Sequence, residues 1–279
     1  MFAEEGAPRG EDHAAVRGGP EAWERASVLP FNAVRDSCGA EERFAFAGER
    51  LSIVVPAYNE SASLADVVAQ ARAVVACWPG GGDVLVCDDG STDDTASVLA
   101  RLAGEPGAPL RVVRHPRNLG VGMALRTLYD AADGELVFFV PGDGQVSVDQ
   151  FPVMAGALDR YDVVVGRRRH RADPFWRRFN AGIYNLVLRV LFRLPLHDVD
   201  SVTLFRTGVL RAVRVRSRSV VMCAELLVRA RRRGYRVGEV DVAHRPRRSG
   251  AQTGGRPGFI LRAMAELARL WWTLRRDRT

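Results

Sequence analysis

The strongest constraint on this chain is an alternation that starts at Leu51, where short apolar runs of strand length are each followed by a stretch with helical spacing. Residues 51–55, 83–87, 110–114, 136–140 and 162–165 form the runs. Residues 63–77, 92–103 and 122–132 repeat their apolar side chains at helical intervals, and Asp93 and Asp94 sit at the start of the second stretch. Strands covered on both faces read as unbroken apolar runs, and strands joined by helices run parallel. The pattern therefore predicts an α/β fold, a mostly parallel, Rossmann-like sheet sandwiched by helices.

Such a sheet binds its ligands beyond the carboxyl ends of its strands. Polar residues collect there: Tyr58, Asn59 and Glu60 after the first run, Asp88 and Asp89 after the second, Asp143 and Gln145 after the fourth. The first turn reads VVPAYNE and not GxGxxG, which argues against a dinucleotide-dependent dehydrogenase.

The flanks differ from this middle. Residues 1–48 are rich in Gly, Ala, Glu and Arg without periodicity and are expected to form an extension. The domain proper is expected over 49–256, with a basic amphipathic helix over 257–279. No apolar run reaches the roughly eighteen residues of a membrane span, and acidic residues such as Glu4, Glu5, Glu11 and Asp12 break up the first thirty positions. A cytoplasmic location, peripheral at the inner face of a membrane, is the expectation. The cysteines, Cys38, Cys77, Cys87 and Cys223, show neither zinc spacing nor a disulfide pattern. Charge is divided unevenly: residues 1–150 hold 12 Arg against 23 Asp and Glu, whereas residues 151–279 hold 28 against 10. A basic second half points to an anionic partner. Nucleic acid is disfavoured, because the arginines lack interleaved aromatic residues.

Six segments occur in order: IVVPAYNE at 53–60, VCDDGSTDDT at 86–95, RNLGVGMALR at 117–126, FFVPGDGQ at 138–145, DVVVGRR at 162–168 and HRPRRSG at 244–250. Together they resemble the family 2 inverting glycosyltransferases of the GT-A fold, and among these the dolichyl- or polyprenyl-phosphate sugar synthases. The resemblance runs from residue 51 to about 255. It implies transfer of a sugar from a UDP- or GDP-sugar, with Pro56, Tyr58 and Glu60 lining the nucleotide pocket and a carboxylate of the Asp88–Asp89 pair accepting a hydrogen bond from the base. It also implies that Asn118 and Gly120 bring a helix start close to the nucleotide. The family's Asp-x-Asp-x-Gln element holds a divalent metal, Mg²⁺ or Mn²⁺, on the diphosphate. Here its first position is Pro141, leaving Asp143 and Gln145 as ligands and implying weaker binding. Arg247, in an R-x-x-G element, matches a late loop that closes over the diphosphate.

The resemblance implies a lipid phosphate as acceptor, and Arg167, Arg177 and Arg178 are the cations expected to hold it. The HDVDSVTLFR stretch at 197–206 offers Asp198 or Asp200 as a base for a hydroxyl acceptor, and Glu225 is a further candidate. The helix at 175–192 is amphipathic, and so is the segment 260–274. In the latter Ile260, Met264, Leu267, Leu270, Trp271 and Leu274 form a stripe amid arginines, which suits an anionic membrane surface or, alternatively, packing on the domain or in a homodimer. Two other functions are compatible with these segments: the same fold acting on a soluble acceptor, and a noncatalytic nucleotide-sugar-binding protein.

Overall fold

Seven strands form one sheet in the order β3-β2-β1-β4-β6-β5-β7 in the computed structural model, which describes residues 44–168, 175–219, 221–246 and 257–276. β1 (Leu51–Ala57), β2 (Gly82–Asp88), β3 (Leu110–Arg114), β4 (Leu136–Phe139), β5 (Val163–Arg168) and β7 (Val237–Val242) share one direction. β6 (Thr203–Arg206) lies antiparallel between β4 and β5. The predicted α/β sheet is thus present, with one strand reversed. Strands β6 and β7 are absent from the sequence expectation. β6 spans only four residues, and β7, VGEVDV, is an edge strand without an unbroken apolar run.

Alternation along the strands divides the core in two. Leu51, Ile53, Val55 and Ala57 of β1 face one layer, with α1 (Leu64–Cys77), α2 (Thr95–Gly104) and α4 (Phe151–Ala155). Val54 joins Leu85, Val137 and Phe139 on the other face, under α3 (Val121–Ala131), α5 (Phe175–Phe192), α6 (Thr207–Val213), α7 (Met222–Arg232) and α8 (Pro257–Arg276). Both faces of the central strands are therefore dry, which is why those strands carry unbroken apolar runs.

Two flanking segments take part in this packing. Phe44 and Phe46 stack on each other at 5.5 Å, and both rings lie 6.2 Å from Trp78. Residues 1–43 of the 1–48 extension lie outside the described residues. The stripe expected to meet a membrane on α8 is largely occupied by packing: Leu267, Leu270 and Leu274 are buried in the second core layer, with Met264 and Trp271 partly buried beside them. Trp272 remains exposed, and the Arg275 guanidinium stacks 3.8 Å from the Trp271 ring. Among the described residues no helix is long and apolar enough to cross a membrane.

Candidate active site

A cavity of about 770 Å³ opens beyond the carboxyl ends of the strands, within the usual range of roughly 300–1,000 Å³ for small-molecule sites. One end is built by the strands on the β1 side: Pro56 near the end of β1 and Tyr58 just after it, Asp89 after β2, and Asn118 and Gly120 just before α3. The middle holds Glu60, Pro141 and Asp143. The far end holds Arg168, Asp198 and Asp200, with Asn180, Ile183 and Tyr184 from α5. Because β6 is reversed, the loop that enters it lies at the same edge as the exits of β4 and β5. That reversal brings the 197–200 segment to the cavity.

Local hydrogen bonds fix the first end. Asn59, in the left-handed region at φ 55°, donates its backbone N–H to Ser91 Oγ at 2.9 Å and accepts from Thr92 N through Oδ1 at 2.9 Å. The turns after β1 and β2 are thereby tied together. Asp88 is buried away from the cavity: Oδ1 accepts from Ser91 N at 2.8 Å, and Arg114 Nε lies 3.1 Å from Oδ2. Asp89 is the member of the pair that lines the cavity. Its oxygens accept backbone N–H bonds from Leu119 at 2.9 Å and Gly120 at 2.8 Å, and His115 Nδ1 lies 2.7 Å from Oδ1. Gly120, at φ 91°, has the left-handed backbone that lets its N–H point back at this carboxylate.

The 141–145 turn is anchored at both ends. Gly142 N donates to Pro56 O at 3.2 Å, and its carbonyl accepts from Ser63 Oγ at 2.8 Å. Asp143 Oδ1 accepts from Gln145 N at 3.0 Å, the side chain bonding two residues on as an Asx turn does. Gln145 is buried and absent from the cavity wall; its amide donates to Arg245 O at 3.5 Å, while Arg245 N donates to Gln145 O at 2.7 Å. The expected metal pair is therefore not brought together, since Asp143 reaches the cavity and Gln145 instead joins the turn to the late loop. Among the described residues, no three His, Cys, Asp or Glu side chains converge enough to hold a metal by themselves. The donors fit a hard cation only in a site shared with ligand oxygens, in which Asp143 is the motif's carboxylate.

At the far end, strand alternation separates two neighbouring arginines. Arg167 turns away from the cavity and pairs with Asp241, Nε to Oδ1 at 2.5 Å, whereas Arg168 lines the wall. Arg168 grips Asp198 with two bonds, Nε to Oδ2 at 2.6 Å and Nη2 to Oδ1 at 2.7 Å, and reaches Asp200 O at 3.0 Å. Glu239 of β7 accepts from the backbone N–H groups of His197 at 2.5 Å and Asp198 at 2.9 Å. Asp198 is thus a buried, ion-paired support, and Asp200 is the exposed carboxylate on the wall. Glu225 lies elsewhere, buried under the 214–219 loop. Burial pushes its carboxyl upward, but bonds from Ser217 and Arg229 outweigh this and hold it below the ordinary value. Arg177 and Arg178 fall in the first turn of α5 with their side chains outside the description, and Arg247 lies outside the described residues.

Sequence reading missed His115, Arg168 and the α5 wall. His115 follows β3 and could have been found by the strand-end rule that marked Asp89. Arg168 required knowing which face of β5 meets the cavity.

α5 also exposes Phe179, Ile183, Leu186 and Val190, spaced four, three and four residues apart on one side of a helix without an acidic residue. Exposed apolar patches of this kind mark contact surfaces. Ile183 belongs both to this stripe and to the cavity wall.

Comparison with known proteins gives consistent results. The family model described as "Glycosyl transferase family 2" matches residues 52–220. An uncharacterized glycosyltransferase of Mycobacterium tuberculosis is 36% identical over 208 residues, covering 73% of this chain and 89% of that protein. A dodecaprenyl-phosphate galacturonate synthase of Rhizobium johnstonii is 30% identical over 212 residues, 74% of this chain and 62% of the relative. Among solved structures, glucosyl-3-phosphoglycerate synthase from Mycobacterium tuberculosis, in complex with Mn²⁺, UDP and phosphoglyceric acid, superposes with a TM-score of 0.65. It is 20% identical, with 88% of this chain and 83% of that one covered, a likeness of fold.

Proposed function

Since the chain belongs to glycosyl transferase family 2, we propose that this glycosyltransferase moves a sugar from a nucleoside diphosphate sugar to a polyprenyl phosphate at a membrane surface. The observation that carries this reading is the placement of α5. The helix that contributes Asn180, Ile183 and Tyr184 to the cavity wall also presents the exposed stripe of Phe179, Ile183, Leu186 and Val190 to solvent. A lipid whose phosphate enters the cavity would leave its chain against that stripe. The 30% identity to an enzyme named for dodecaprenyl phosphate supports the same acceptor.

In this reading the nucleoside occupies the end formed by Pro56, Tyr58, Asp89, Asn118 and Gly120, and the diphosphate lies over the 141–145 turn. An acceptor phosphate oxygen attacks the anomeric carbon from the face opposite the leaving group. The bond to the diphosphate oxygen breaks, the nucleoside diphosphate departs with the electron pair, and the sugar is inverted. The attacking oxygen is already anionic, so no strong base is needed, which agrees with Asp198 being committed to Arg168. A divalent cation, Mg²⁺ or Mn²⁺, would be held by Asp143 together with diphosphate oxygens, and would offset the charge that grows on the leaving group. Asp143 places fixed negative charge there, and Pro141 fixes its own backbone φ beside it.

A second reading is a soluble hydroxyl acceptor. It is favoured by the exposed Asp200 on the cavity wall, a carboxylate that a hydroxyl acceptor would need as its base. Radiolabelled sugar nucleotides incubated with and without polyprenyl phosphate decide between them. A labelled, solvent-extractable lipid is the expected product. A labelled water-soluble product made without lipid overturns the lipid reading, and absence of any transfer leaves a nucleotide-sugar-binding protein.

A further inference from the structure

His115 lies at the carboxyl end of β3, buried at 8% exposure, and does not line the cavity itself. Its ring is held at both nitrogens: Nδ1 is 2.7 Å from Asp89 Oδ1, and Nε2 is 2.9 Å from Thr127 Oγ1 on α3. An ionised carboxylate only accepts, so Nδ1 carries the proton shared with Asp89. In the neutral ring Nε2 then accepts from the Thr127 hydroxyl, and in the charged ring it donates to the same oxygen. Either way the imidazole keeps its place. The neighbouring Cys87 thiol, 3.7 Å from Nε2, is pushed up to about 12 by burial and then by Asp89 and Asp88, and so adds no competing negative charge.

Asp89 passes this constraint on. Its two oxygens receive the N–H groups of Leu119 and Gly120, which together with Asn118 form the wall at the nucleoside end. Gly90 presses on the same segment: a Cβ there would lie 2.3 Å from the Arg117 carbonyl carbon. The turn after β2 and the entry to α3 are therefore seated on one another through one carboxylate, and His115 is the side-chain donor that orients it.

We propose that His115 is a positioning residue for the nucleotide, holding Asp89 in the pose that shapes the 118–120 wall, an inference that rests on the cavity taking a nucleoside diphosphate sugar. Two polar substitutions separate the halves of its role. In His115→Asn the amide nitrogen stands near the Nδ1 position and keeps the Asp89 bond. In His115→Gln the longer amide reaches toward Thr127 and loses Asp89. Both give up packing in the same pocket, so a merely structural residue would lower thermal stability in both without separating their affinities.

The test is calorimetric binding of UDP and of GDP, each with Mg²⁺, to the full chain and both variants, with steady-state kinetics on the sugar nucleotide that supports turnover. The Gln variant is expected to bind about tenfold more weakly than the Asn variant, the scale of losing one hydrogen bond to a charged group. Its KM should rise by a similar factor with kcat within about threefold, whereas the Asn variant stays within about threefold of wild type in both. Equal affinities in the two variants, with stability lowered in both, overturn the proposal alone. If the wild-type chain binds neither UDP nor GDP, the nucleotide reading itself fails and the positioning role falls with it.

Discussion

Asp143 is the carboxylate that the 141–145 turn delivers to the middle of the cavity, and its Oδ1 also sets the turn by accepting from Gln145 N. Asp143→Asn keeps an acceptor for that bond and removes the charge. Turnover should fall about a hundredfold, roughly 3 kcal/mol of transition-state stabilisation, while melting temperature changes little. Stopped assays of sugar transfer alongside thermal unfolding check this. Pro141 lines the same cavity, so a carboxylate placed there would face the position proposed for the diphosphate. Pro141→Asp adds fixed negative charge and gives up a rigid φ; the charge is expected to dominate, tightening Mg²⁺ or Mn²⁺ in the presence of sugar nucleotide. A calorimetric metal titration of both forms reads the change, and unchanged or weaker metal binding would remove position 141 from the diphosphate site.

The two amphipathic helices, which look alike as sequences, are used differently. α8 is structural: Leu267 is fully buried, and Leu267→Ala should cost about 2–5 kcal/mol in denaturant unfolding. Removing α8 altogether would take Leu267, Leu270 and Leu274 out of the second core layer and uncover the apolar residues they cover, so the truncated chain should aggregate, and a soluble, cooperatively folded product would contradict this packing. α5 is the helix with an apolar side left in solvent. Leu186→Glu combined with Val190→Glu should leave the melting temperature nearly unchanged, because both residues are exposed, and should abolish sedimentation with anionic vesicles. α7 contributes a pH-dependent clamp through Glu225, which accepts from Arg216 N at 3.1 Å and Ser217 N at 2.7 Å and pairs with Arg229. Its folded value lies below the ordinary glutamate value of 4.5, so its stabilising contribution is complete above that value and is lost as pH falls through the lower, folded one. Glu225→Gln should remove that part of the acid limb from a plot of unfolding free energy against pH.

At the scale of the whole molecule, the division of charge shows which parts of the site were readable. The acidic first half supplies β1 to β4, whose apolar runs and polar strand ends are consecutive in sequence, and seven of its expected residues (Pro56, Tyr58, Glu60, Asp89, Asn118, Gly120 and Asp143) line one cavity. The basic second half was less legible. A four-residue reversed strand leaves little periodicity, and the choice between Arg167 and Arg168 depends on a pleat whose phase is set by β6 and β7. The bond of Gln145 to Arg245 was not legible for a similar reason, since the two are a hundred residues apart in sequence. The arginine excess in the second half should make vesicle binding fall steeply as ionic strength rises past about 0.15 M, where screening acts beyond about 8 Å, and weaken it on uncharged lipid at any salt. The sheet order has a further consequence, for the birth of the molecule. β1 to β4 pair only among themselves until β4 meets β6, so a chain emerging amino end first has four neighbouring strands at hand before β6 has been made. During that interval the edge of β4 is unpaired and waits for a strand still to be translated, which leaves it open to a chaperone or to a second nascent chain.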